Sequence, residues 1–179
     1  MVVCSRFPVV DEVIEQFADV LGHDRVAYHN HVTRVLNYFQ FLAPTDGSCA
    51  HQVLVAAAFH DLGIWSARTF DYLGPSVGLA RQYLASANLQ HLVSEVEAII
   101  VWHHKLSRYR GEFASTVETF RRADLIDLSL GMIRFGVSAL LVRAVKGSLP
   151  NAGFHRRLAA LTARQLLRSP LRPLPMMRW

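Results

Sequence analysis

Beyond Asp127 the chain contains no acidic residue. All 14 Asp and Glu lie within residues 1–127, where they outnumber ten Lys and Arg, while residues 128–179 carry the other nine bases. A basic tail of this kind points to an anionic substrate, a nucleic acid or an acidic partner face. Few aromatics stand among these arginines to stack on bases, which argues against nucleic acid. Cysteine is nearly absent as well: Cys4 and Cys49 have no C-x-x-C spacing, excluding a disulfide framework or a zinc knuckle. No run of about 18 uncharged apolar residues occurs, so no membrane span is expected. The most apolar stretch, Leu130 to Val142, is short and interrupted by Arg134. Met1 to Arg6 lacks the basic-then-apolar layout of a signal peptide. These absences predict a cytoplasmic protein with no membrane partner, and they leave homo-oligomerisation open.

Strand-like alternation is the remaining absence, and what replaces it is helical periodicity. With 51% hydrophobic and 18% charged residues, the 179-residue chain can bury a core as one all-α domain of about seven to nine helices. The pattern predicts helices over Val9–Leu21 and Val26–Leu42, the latter stopping before Pro44. A third starts near Ser48, a candidate N-cap, and ends at His60-Asp61-Leu62-Gly63, with Gly63 as a left-handed C′ residue. Residues 64–74 read as a loop with a short helical turn. Further helices are expected over Pro75–Ala87 and Leu89–His104. After a loop from Lys105 to Phe113, Ser115 and Glu118 suggest a capping box for a helix to Leu128. Two more helices, about Leu130–Lys146 and Gly153–Leu167, precede an irregular tail.

Helical geometry sorts the ionisable residues. His31 shares the apolar stripe Tyr28, Val35, Tyr38 and Leu42, whereas His29 is rotated away. His103 continues the stripe Leu92, Val96, Ile99, with His104 at the next angle. Asp124 lies with Val117, Phe120 and Leu128. The adjacent His60 and Asp61 end a run of small apolar residues, an expensive place for ionisable groups unless something satisfies them. Inward His and Asp side chains from separate helices are what a metal centre in an α-domain requires.

The order His31, His60-Asp61, Asp124 resembles the HD-domain superfamily of metal-dependent hydrolases, over roughly residues 26–128. The local contexts also match: Arg34-Val35 after the first His, Gly63 after the dipeptide and Ala123 before the last Asp. The resemblance implies a helical bundle with His31, His60, Asp61 and Asp124 as ligands of a divalent ion. Zn, Mn, Fe, Co and Ni are not distinguished by these ligands. Glu97 to His104 is similar to the superfamily's helix ending in His-His. The extra histidine of binuclear members is replaced here by Ser76, a following Glu by Lys105, and a Lys after the dipeptide by Ile64. One ion per chain is therefore expected, with His103 and His104 in its outer shell or on the substrate, and a diiron oxygenase is ranked below the hydrolases.

The activity implied first is hydrolysis of a nucleotide or other small phosphoester by a metal-activated water. His60, Asp61, His103 and His104 would form the catalytic group, and Arg68, Lys105, Arg108 and Arg110 would hold an anionic substrate. Two other readings compete. Asn30-His31 with Arg34, and Glu97 to Ile100, also resemble the cyanamide hydratase branch, which adds water to a nitrile. A small apolar pocket walled by Trp65, Phe70, Tyr72 or Trp102 would favour that chemistry, and a basic pocket would favour phosphate. The third reading is a non-catalytic domain that keeps the metal as a staple or senses a ligand. His155 is expected not to be a ligand.

Overall fold

The computed structural model describes residues 3–43 and 49–177, and every regular element among them is helical. Helix α1 (Pro8–Gln16) and the single turn α2 (Ala18–Leu21) lead into α3 (Arg25–Leu42). Helix α4 (His51–Phe59) is followed by the single turn α5 (Gly63–Ser66), α6 (Leu73–Ser86) and α7 (Val93–Trp102). Helices α8 (Ala114–Leu128), α9 (Ala139–Ser148) and α10 (Phe154–Arg168) complete the bundle. The Ser48 cap, Pro44 and the loop between them lie outside the described residues.

Helix α3 is the axis. It lies along α8 and also meets α1, α4, α9 and α10, so apolar residues occupy more than one stripe and Val32, Val35 and Leu36 are all fully buried. Helix α4 is apolar around its circumference from Val55 to Phe59 and is enclosed by α1, α3, α6 and α7. His31 thus lies on, and His60 and Asp61 directly follow, helices enclosed by the rest of the fold.

Several elements differ from the sequence expectation, each for a local reason. The first helix is broken at Phe17 (φ −104°, ψ 19°), whose ring stands edge-on to Phe59 with centroids 6.0 Å apart. The expected helix from Leu130 begins only at Ala139. Residues 129–138 instead form a loop with left-handed backbone at Leu130 (φ 55°), Gly131 (φ 83°), Phe135 (φ 47°) and Gly136 (φ 93°). Ser138 restarts the helix by accepting the Leu141 N–H at 3.1 Å.

The capping box is also absent. Phe113 (φ 56°) precedes α8 without a side-chain cap. Glu118 turns to the preceding loop, accepting the Tyr109 N–H at 3.1 Å and charged donors from Arg121 and Arg122 at 2.8 and 2.9 Å. These donors outweigh a neutral helix-end amide.

Gly63 does not end a helix in the left-handed conformation; it begins α5. Its lack of a side chain serves close approach. A Cβ there would lie 2.4 Å from the Tyr72 carbonyl oxygen and 2.9 Å from the Ser76 N and Oγ. Ser76 accepts the Gly63 N–H at 2.9 Å and fixes the turn after His60-Asp61.

Two stability predictions follow from these contacts. Gly63→Ala, which drives a methyl group into backbone, is expected to destabilise the fold by roughly 1–3 kcal/mol or more, read as a lowered urea midpoint. Burial pushes the Glu118 carboxyl up, but Arg121, the Tyr109 N–H and Arg122 hold it at about 2 against an ordinary 4.5. Its contribution is therefore complete above pH 4.5 and fades as pH falls through about 2. Glu118→Gln should melt lower than wild type at neutral pH, with the difference closing in acid; a constant difference across that range contradicts the assignment.

Candidate metal centre

Four helices bring their ionisable side chains to one buried point. His31 comes from the middle of α3, His60 and Asp61 from the turn after α4, His103 and His104 from the end of α7, and Asp124 from α8. His31 and His60 are fully buried, and Asp61, His103 and Asp124 nearly so.

What each imidazole does with its outward nitrogen determines what the centre can hold. The His60 Nδ1–H donates to the Ala57 carbonyl at 2.7 Å, and the His103 Nδ1–H to the Ile100 carbonyl at 2.7 Å. A carbonyl only accepts, so the proton sits on Nδ1 and Nε2 keeps its lone pair. His31 Nδ1 meets Asp127 Oδ2 at 2.8 Å. Burial alone would raise the Asp127 carboxyl, but the Arg34 fork at 2.6 and 2.8 Å and the His31 bond hold it well below the usual range. Asp127 is thus an acceptor, and His31 is also fixed with its proton on Nδ1.

Three Nε2 lone pairs therefore point into the same space. His31 Nε2 and His60 Nε2 face each other 3.0 Å apart. Asp61 Oδ2 lies 3.7 and 3.5 Å from these two nitrogens, and Asp124 Oδ1 lies 3.6 and 3.8 Å from them. Asp61 Oδ1 is 3.5 Å from His103 Nε2. Asp61 Oδ1, His103 Nε2 and both Asp124 oxygens are buried with no hydrogen-bond partner.

Such a concentration of lone pairs is unfavourable without a cation. Burial, then the Asp61 and Asp127 charges, push the Asp124 carboxyl well above its normal range. Burial also lowers His60 to about 3, so its imidazole stays neutral and able to coordinate. Two nitrogens held about 2.1 Å from one ion at right angles are about 3.0 Å apart, which the His31–His60 pair satisfies. The groups His31, His60, Asp61 and Asp61, His103, His104 can each hold a metal ion, and Asp61 belongs to both. Asp124 faces the first group from the opposite side.

This arrangement sharpens two sequence expectations. His103 directs a bare Nε2 at Asp61, so it belongs with the ligand-competent atoms and not merely to an outer shell. His104 is held differently: its Nε2 shares a 2.6 Å hydrogen bond with the Tyr72 hydroxyl, leaving Nδ1 3.9 Å from Asp124 Oδ2. Burial and the nearby carboxylates keep the Tyr72 phenol protonated, with its pKa far above the ordinary value.

A cavity of about 170 Å³ opens beside this centre. Asp61, Tyr72 and His104 form its polar side, and Phe70, Leu128, Leu158, Thr162, Leu174, Met176 and Met177 form the rest. None of Arg68, Lys105, Arg108 and Arg110 lines it. Arg68, Arg108 and Arg110 are exposed, and the Lys105 ammonium lies 5.6 Å over the Trp102 ring. Of the four aromatics expected as walls, Phe70 and Tyr72 serve. Trp65 instead donates to Asp24 at 2.9 Å, and Trp102 packs on Tyr109 at 5.6 Å. A wider surface cleft of about 540 Å³ shares Leu174 and Met177 with the cavity and carries Arg172.

Residues that the sequence patterns did not single out complete the support. Asp127, one helical turn beyond Asp124, clamps His31 and Arg34 together. The Phe154 ring stacks on His31 with centroids 4.0 Å apart and planes 13° apart. The His155 Nε2–H donates to the Asp127 carbonyl at 3.0 Å. The i, i+3 spacing of Asp124 and Asp127 on an otherwise apolar face was the available signal.

Comparisons with family models, curated proteins and solved structures give no match. The reading of the site therefore rests on its own geometry.

Because Asp127 fixes the donor atom of His31, Asp127→Asn should weaken metal binding by about 10–100-fold while leaving the helical circular dichroism intact. Competition with a chelator of known affinity measures it; unchanged affinity with an intact fold would make the Asp127 bond purely structural.

Proposed function

We propose that this protein is a metal-dependent, HD-type enzyme that activates water for attack on a small substrate bound in the cavity beside Asp61, Tyr72 and His104. The observation that carries the reading is the set of inward Nε2 atoms, each fixed by its Nδ1–H, beside buried carboxylate oxygens that have no other partner. A divalent ion bound there supplies Lewis acidity and brings the ionisation of its water towards neutral pH.

The chain's own residues define the rest. His31, His60, Asp61 and Asp124 are the ligand set we assign, with His103 completing the side that faces His104. Tyr72 keeps its phenolic proton, and its hydroxyl and the His104 ring can orient a polar substrate group and exchange a proton with it. The largely apolar wall limits what can approach.

The size and lining of the cavity support a compact, uncharged electrophile, such as a small nitrile, ahead of a phosphoester. A volume of about 170 Å³ without a Lys or Arg in its wall provides no compensation for an anion other than the metal itself. Phosphoester hydrolysis is the second reading, supported by Arg172 in the adjoining cleft, where the remainder of a larger anionic substrate could lie.

The test assays protein loaded separately with Zn, Mn, Fe, Co and Ni against small aliphatic nitriles and cyanamide, and in parallel against aryl phosphoesters and nucleotides. Metal-dependent turnover of a nitrile is expected, falling by at least about 100-fold in His60→Ala and Asp61→Ala together with metal content. Turnover of phosphoesters alone selects the second reading. Bound metal with neither activity overturns the enzyme reading in favour of a staple or sensor.

A further inference from the structure

Among the described residues, a run of exposed apolar side chains follows α8. The loop after α8 displays Leu130, Met132, Ile133 and Phe135 to solvent, Met132 being 83% exposed, and Leu140 on the first turn of α9 is 72% exposed. Left-handed backbone at Leu130, Gly131, Phe135 and Gly136 folds this segment into a tight projection in place of a packed helix.

Cations surround it. The Lys146 ammonium donates to the Leu130 carbonyl at 3.2 Å, and a shallow depression of about 380 Å³ between loop and helix is lined by Arg134, Arg143 and Lys146. Arg143 lies one helical turn beyond Leu140, so cation and exposed leucine share a face. The Arg122 guanidinium stands 5.5 Å from the Phe135 ring centre. No acid occurs in residues 128–179, and the carboxylates of neighbouring α8, Glu118, Asp124 and Asp127, are buried.

We propose that this loop and the adjoining face of α9 dock the protein on an anionic lipid surface. The apolar side chains would enter the acyl boundary while Arg134, Arg143 and Lys146 lie at the level of the phosphates. Charge complementarity selects an anionic surface. The side chains of the loop favour lipid over nucleic acid, since leucine, isoleucine and methionine gain from hydrocarbon and Phe135 is the one ring among them that could stack on a base. No helix among the described residues is long and apolar enough to cross a membrane, and docking on one face needs none.

Co-sedimentation of the full chain with vesicles of phosphatidylcholine alone, or mixed with phosphatidylglycerol, tests this. Binding is expected to the mixed vesicles only, to weaken with added salt, and to fall about tenfold or more in both Met132→Glu/Ile133→Glu and Arg143→Glu/Lys146→Glu. All four side chains are exposed, so metal content and helical circular dichroism should not change. Absence of binding to the mixed vesicles overturns the proposal. So does binding that the basic variant loses and the apolar variant keeps, which describes a general polyanion face. A wild-type dimer dissociated by the apolar variant, without vesicle binding, would assign the patch to a second copy of the chain and overturn it equally.

Discussion

The structure depends on how three imidazole rings dispose of one proton each. Backbone carbonyls one turn earlier take the Nδ1–H of His60 and His103, and the Asp127 carboxylate takes that of His31. With those protons committed outward, the Nε2 lone pairs converge on Asp61 and Asp124 in the least hydrated part of the fold. Left alone, that arrangement sets lone pairs against lone pairs at 3.0 Å and leaves carboxylate oxygens unpaired. A multivalent cation would satisfy nitrogens and oxygens together. The helices can be understood as the means of holding these rings in place against that repulsion.

Much of the surrounding architecture serves the same constraint. Arg34 ties Asp127 to the Leu149 and Pro150 carbonyls, so the chain entering α10 is fastened to α3, the helix that carries His31. Phe154 then stacks on His31, and Asn30 reaches Pro150 at 2.8 Å. The last third of the chain, remote in sequence from the histidines, closes their rear. The tail contributes Leu174, Met176 and Met177 to the cavity wall. Its apolar character shapes the proposal of a compact substrate as much as the ligands do.

The fold class and the inward faces were legible because periodicity reports burial directly. His31, His103 and Asp124 each stand on an apolar stripe, and each is buried. Less legible was anything decided by a contact between distant segments. Gly63 looked like a helix stop, yet its role is to admit the Tyr72 carbonyl and Ser76. Ser115 and Glu118 had the spacing of a cap, but donors from Arg121 and the Tyr109 amide took the glutamate. Residues 130–138 were apolar enough for a helix, while their glycines and Ser138 allowed a loop. Asp127 escaped attention because its meaning lies in Arg34 and His31, more than 90 residues away. The basic residues near His104 were close in sequence and not in the cavity wall, a distinction no spacing rule supplies.

The central claim is that a cation belongs between these side chains. Crystals grown with a first-row divalent metal and measured on both sides of its absorption edge test it most directly. The account predicts an anomalous peak within bonding distance of His31 Nε2, His60 Nε2 and the Asp61 carboxylate. A featureless map there, with His31 and His60 bridged instead by a proton or a water, would contradict it.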